Sequence, residues 1–128
     1  MHSVKFAVLG LVLGSGLSLA DECVKPEVPS LPDGVEASME DMLAGQKAVK
    51  TFQAANLDYM SCLEERMKQA EAAMLKGTKA KNSEEKMKAA QEAYQAATDQ
   101  YNEAVSREEA IAGQFNTAIR EYKAANPD

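Results

Sequence analysis

Apolar positions recur every seven residues through most of the chain, and this period dominates its pattern. In the second half of the chain, a pair of such rows lies three residues apart: Met87, Tyr94, Tyr101, Glu108, Phe115 and Tyr122, beside Ala90, Ala97, Ala104, Ile111, Ala118 and Ala125. The matching earlier rows are Met39, Gln46, Gln53, Met60, Met67 and Met74, beside Met42, Val49, Asn56, Leu63 and Ala70. Such a period indicates the a/d seam of a left-handed coiled coil. It predicts an all-α chain with two long helices.

Local signals predict where the two helices begin and end. Ser38 is a good N-cap ahead of acidic residues, and Gly77 is a stop signal. Asn82 or Ser83 caps a second start, and the chain between Ser38 and that cap contains no proline. The expected helices are about 39–76 and 83–125, in a hairpin over residues 38–128.

Folding the chain back near residues 80–81 sets large seam residues against small ones, for example Met67 against Ala97. Such alternation is what interdigitated packing requires, so we predict an antiparallel two-helix coiled-coil hairpin. The middle of the seam is polar: Gln46, Gln53, Asn56 and Glu108. We expect such residues to fix the register of the coiled coil or to be exposed to solvent, and a functional role is the alternative.

The segment ahead of the hairpin, residues 21–37, is rich in proline. Pro26, Pro29 and Pro32 recur every three residues, the repeat of a polyproline II helix, so the three rings share one side. The run Pro32-Asp33-Gly34 is a turn signal. We expect an extended strand that docks along helix 1; the alternative is a disordered leader.

The first twenty residues have the features of a secretory signal peptide. Lys5 precedes a 14-residue apolar run, and Ser18 and Ala20 occupy the small-residue positions of a cleavage site. The apolar run is short for a membrane-spanning helix. We therefore expect cleavage after Ala20 and a periplasmic location. Asp21 and Glu22 directly before the first cysteine argue against lipidation.

The two cysteines, Cys23 and Cys62, both follow the expected cleavage site. In an oxidising compartment an even count favours a disulfide. An intramolecular bridge is sterically feasible, because the extended segment reaches about 46 Å and the helix from Ser38 to Cys62 is about 36 Å long. An intermolecular bridge and a redox or metal-binding pair are the alternatives.

The mature start, Cys23-x-x-Pro26-x-x-Pro29-x-Leu31-Pro32-Asp33-Gly34, and the later Tyr59-x-x-Cys62-Leu63 resemble a group of small exported proteins of Gram-negative bacteria. The resemblance covers about forty residues and implies the periplasm and a Cys23–Cys62 bridge. It implies no activity and no site residues. A looser likeness, of architecture alone, is to the coiled-coil arms of periplasmic holdase chaperones.

Charge and composition exclude several functions. The chain has 14 basic and 20 acidic residues, a net charge of −6, which is contrary to nucleic-acid binding. The only histidine is His2, so imidazole catalysis and histidine metal ligation are not expected. Seven-residue spacing makes methionines such as Met60 core residues rather than copper ligands. We expect no enzyme activity, no metal and no cofactor.

The predicted hairpin tip is basic in an otherwise acidic chain. Five lysines cluster there: Lys76, Lys79, Lys81, Lys86 and Lys88. Cations near a helix C-terminus are ordinary, because the helix dipole favours them. The functional alternative is a tip that contacts anionic lipid or lipopolysaccharide.

The expected function is therefore protein–protein contact in the cell envelope, as a scaffold or adaptor whose partners the sequence does not name. Self-association is one expected mode, because a two-helix hairpin buries only one stripe of each helix. A holdase-type chaperone and an envelope-surface binder acting through the basic tip are the two alternatives.

Overall fold

A computed structural model of the chain describes residues 22–77 and 82–127. Its two helices are α1, Met39–Gly77, and α2, Ser83–Ala125, and the described residues form no strand. The two helices pack against each other. The all-α class and the helical hairpin are thus confirmed, with α1 one residue longer than predicted. The predicted signal peptide lies outside the described residues, as do Lys79 and Lys81 of the predicted tip.

The order of contacts makes the hairpin antiparallel. Met42, near the start of α1, shares a core cluster with Phe115, near the end of α2. At the opposite end, a methyl group added to Gly77 would lie 3.2 Å from the sulfur of Met87. Position along α1 therefore rises as position along α2 falls.

The two helix starts are capped differently. The hydroxyl of Ser38 accepts a hydrogen bond from the backbone N–H of Asp41 at 3.1 Å, and the Asp41 carboxylate accepts one from the N–H of Ser38 at 3.0 Å. This reciprocal pair is a capping box, and it lowers the pKa of Asp41 through the hydrogen bonds from Ser38. At α2, Asn82 has a left-handed backbone (φ 61°) and makes no side-chain cap hydrogen bond.

The core is concentrated at one end of the hairpin. We call residues 39–63 with 101–125 the base half, and residues 66–77 with 83–100 the tip half. The base half holds two clusters of large buried side chains: Met42, Val49, Phe52, Ile111 and Phe115 in one, Tyr59, Met60 and Leu63 in the other. The buried residues of the tip half are all small: Ala70, Gly77, Ala90 and Ala97.

The seam of α1 in the base half differs from the prediction. Met39 was expected to face α2 but is exposed, and a row of Gly45, Phe52 and Tyr59 is buried beside the predicted seam. Gln46 and Gln53 are exposed, which is one of the outcomes expected for the polar seam residues. Contacts from outside the two-helix seam accompany this difference, since Gly45 packs against Pro32 and Cys62 is bonded to Cys23. Of the predicted polar seam residues, only Asn56 is fully buried, and Glu108 is half-buried.

Candidate interaction groove

Residues 22–37 contact both helices of the base half at several points, and two glycines allow close approach at two of them. A methyl group on Gly34 would fall 2.0 Å from the backbone oxygen of Ala118. A methyl group on Gly45 would fall 2.8 Å from the ring of Pro32. Contacts of that length are far inside van der Waals distance, so both positions require glycine at this packing.

A turn at Asp33 brings the chain from this segment into α1, as the Pro32-Asp33-Gly34 signal predicted. The backbone oxygen of Asp33 accepts hydrogen bonds from the N–H groups of Glu36 and Ala37 at 3.2 and 2.8 Å. Its side-chain oxygen accepts a third, from the N–H of Val35, at 3.0 Å. The side chain thereby stabilises the turn locally, in the manner of an Asx turn.

The far end of the segment is held by a disulfide. Cys23 and Cys62 are bonded, with their Cα atoms 5.5 Å apart, so the intramolecular bridge is confirmed. Cys23 also packs against the cluster that contains Tyr59, Met60 and Leu63. The bridge thus fixes the segment beside the middle of α1.

An ion pair joins the same end of the segment to α2. Lys25 Nζ lies 3.1 Å from Glu103 Oε1, and Arg107 donates to the same carboxylate oxygen. The hydrogen bond from Lys25, then the charges of Lys25 and Arg107, lower the pKa of the exposed Glu103 carboxyl. The segment therefore has one attachment on each helix.

In the tip half an open groove is lined by residues of both helices. Its volume is about 780 Å³. Six alanines line it: Ala70, Ala73, Ala89, Ala90, Ala93 and Ala96. We call this the alanine groove. Its lining is formed largely by these small apolar side chains.

The alanine groove continues the face of α1 that holds the segment. Phe52 and Ala55 line the space beside Val28 and Pro29. Steps of three or four residues, the helical repeat, lead from there through Tyr59 and Cys62 to the groove-lining residues Arg66, Gln69, Ala73 and Lys76. One face of the hairpin is therefore filled at the base and empty at the tip.

Basic side chains border the alanine groove. Arg66, Lys76 and Lys86 are among its lining residues, with Gln69 and Gln100, and no acidic residue lines it within the described residues of the chain. Lys88 is exposed but does not line it. The structure therefore brings two of the predicted tip lysines together and leaves Lys88 apart.

The alanine groove was not predicted from the sequence. Ala70, Ala90 and Ala97 were interpreted only as small partners of large seam residues. A signal was available in four further alanines outside the a/d rows, which place small side chains on the surface beside the seam: Ala73, Ala89, Ala93 and Ala96.

Two buried polar atoms accompany the core. Asn56 donates from Nδ2 to the backbone oxygen of Ala104 at 3.1 Å, which ties the helices together at this layer. Its Oδ1 and the Nη1 of Arg107 are buried without a hydrogen-bond partner. Across residues 22–77 and 82–127, no three His, Cys, Asp or Glu side chains are grouped so as to hold a metal ion. Over the same residues, neither helix is apolar enough for its length to cross a membrane.

No protein-family model, curated protein or solved structure matches the chain. Its function is therefore argued from the groove and the charges around it.

Proposed function

We propose that this chain is an exported, non-enzymatic helical-hairpin protein that acts by protein–protein contact in the cell envelope, as a scaffold or adaptor. The observation that carries the proposal is the alanine groove, which continues a groove that the chain itself fills at the other end. A surface that already holds one polypeptide segment at the base is suited to hold another at the tip.

The proposal includes a docked, Pro-rich extended strand along α1. It is supported by the disulfide to Cys62, the ion pair to Glu103 and the packing of Pro32 on Gly45. The strand covers part of the base half, on the face of α1 that the alanine groove continues toward the tip. A disulfide suggests an oxidising environment, which supports export to the periplasm with residues 1–20 as the cleaved signal peptide.

Site-specific photo-crosslinking in cells tests the proposal. A photoreactive residue at Ala93, inside the alanine groove, is expected to give discrete protein adducts. The same residue at Ala72, an exposed alanine of α1 outside the groove, is the matched control and is expected to give none. Equal adduct patterns at the two positions, or no adduct at either, would contradict contact through the groove.

A holdase-type chaperone is the second candidate, because large apolar side chains remain exposed along α1. Leu43, Leu57 and Leu75 are 56, 61 and 77% exposed. Unfolded chains bind such surfaces through their apolar residues. Suppression of the aggregation of a model substrate at equimolar protein, lost when the three leucines are changed to serine, would favour this candidate over the adaptor.

A further inference from the structure

The alanine groove has a length, a width and a charge that together define an occupant. Building on the proposed protein-contact function, we propose that it binds a short, extended, acidic segment of a partner protein, placed in line behind Cys23 as a continuation of the docked strand.

The length of the groove fits a short peptide. From Arg66 to Gly77 the axis of α1 rises about 16 Å at 1.5 Å per residue. An extended chain covers that distance in about five residues at 3.3 Å each. The occupant is therefore a linear motif rather than a folded domain.

The width favours an extended chain over a helix. The base of the same groove holds a single extended segment, admitted by glycine at Gly34 and Gly45. In the tip half, alanines line the groove where the base half has large side chains, and the groove continues the face of α1 beside which the extended segment lies. A helix with its side chains is about 10 Å across, and it would lie above the groove rather than continue the docked strand.

The charge favours an acidic occupant. Lys76 and Lys86 border the alanine groove from opposite helices, with Arg66 further along, and no acidic side chain among the described residues lines it. A carboxylate at the tip end of a five-residue motif would lie between Lys76 on α1 and Lys86 on α2. The rest of the surface is predominantly acidic, which steers such a motif to the tip.

The same charges argue against a second copy of this chain seated groove to groove. A two-fold symmetric contact of that kind would bring the basic lining residues of both copies into one interface with no acidic lining residue to pair with them, and like charges in one interface cost affinity. An anionic membrane surface is the remaining competitor, and phosphatidylglycerol vesicles represent it in the experiment.

Peptide selection tests the inference on the oxidised protein purified after export. A phage-displayed library of random dodecapeptides is the probe. We expect selection of sequences that combine Asp or Glu with small apolar residues or proline. Synthetic copies of the selected peptides should bind in a fluorescence anisotropy titration and weaken as salt rises.

Two groove variants should abolish or weaken this binding by about tenfold or more. Ala93→Trp fills the alanine groove, and its control is Ala72→Trp on the exposed surface of α1. The pair Lys76→Glu and Lys86→Glu reverses the border charges. Its control is the pair Lys50→Glu and Lys88→Glu, which changes net charge equally at exposed positions outside the groove. Circular dichroism should show the same helicity for all four proteins.

Three results would overturn the inference. One is selection of peptides without acidic residues, or of none. Another is equal binding to the groove and control variants. The third is groove-dependent association with phosphatidylglycerol vesicles that no selected peptide displaces. Discrete adducts at Ala93 together with any of these results would leave the adaptor function standing and remove only the peptide class; absence of adducts would remove both.

Discussion

The base and tip halves of this hairpin use the same two helices and the same seven-residue period, yet they pack differently. In the base half, Phe52 and Phe115 are 3 and 8% exposed, and the segment of residues 22–37 covers one face. In the tip half the buried residues are alanines and a glycine, and the corresponding face is open.

The buried core of the base half comes from the two helices, and a third element adds contacts to it there but not in the tip half. The segment supplies Leu31 and Cys23 to the two clusters. Where the segment stops, large buried residues stop as well. Free energy of unfolding should therefore be unevenly distributed, with local opening favoured at the tip.

The largest expected effect comes from releasing the segment. Reducing the disulfide between Cys23 and Cys62 should lower the free energy of unfolding by about 4 kcal/mol, because the bridge no longer restricts the unfolded chain. Urea denaturation of reduced and alkylated protein against oxidised protein measures this. Alkylating agent without reductant is the control, and an unchanged midpoint after reduction would contradict a structural bridge.

The next largest effect is expected from truncating buried side chains, which should cost more stability in the base half than in the tip half. Leu63 is fully buried at the centre of its cluster, so Leu63→Ala should cost about 3 kcal/mol. Met74 is only half-buried in the tip half, and Met74→Ala should cost about 1 kcal/mol. Chemical denaturation of both variants gives the comparison. Equal losses would show that the tip seam contributes as much as the base core.

Substitutions at the two helix starts should change stability by smaller amounts, with a loss at the base and no loss or a gain at the tip. Ser38→Ala removes the capping box at the base and should cost about 1 kcal/mol. Asn82→Gly at the tip removes no cap hydrogen bond and relieves a left-handed backbone conformation, so it should be neutral or stabilising by a few tenths of a kcal/mol. Thermal melts followed by circular dichroism measure both. A loss at Asn82→Gly would indicate that the asparagine side chain stabilises the turn.

The smallest expected effect is a pH dependence of the attachment to α2. Because Lys25 and Arg107 lower the folded-state pKa of Glu103, its ionisation stabilises the folded state above the ordinary value of 4.5. This contribution is lost as the pH falls below that value and the carboxylate is protonated. The difference in stability between the natural protein and Glu103→Gln should therefore shrink from neutral to acidic pH. A constant difference would contradict the ion pair.

Local chemistry explains which elements of this fold were predictable. The bounds of α1 were predictable because Ser38 and Gly77 start and stop the helix locally, each through its own helical turn. The pairing of Cys23 with Cys62 was predictable from the oxidising compartment expected for an exported chain, from the presence of two cysteines and from the distance that the extended segment can span. The burial of Gly45, Phe52 and Tyr59 was not predictable from the seam, because it involves contacts from outside the hairpin, such as that of Pro32 with Gly45.

The alanine groove was not predictable for a related reason. A single alanine such as Ala93 is equally suited to a seam, a surface or a groove, and only the three-dimensional continuation of the filled groove distinguishes these. The lysines at Lys76 and Lys86 were recognised as a basic tip. Their placement on opposite borders of one groove required the structure.

Native-state hydrogen exchange of the oxidised and reduced protein tests the central claim most directly. The account predicts that, in the oxidised protein, amides around Phe52, Asn56 and Leu63 exchange far more slowly than those around Ala73 and Ala93. Reduction should bring the base amides toward the rates of the tip and leave the tip amides nearly unchanged. Uniform exchange along both helices, or a tip half more protected than the base half, would contradict a hairpin whose stability is concentrated in its base half.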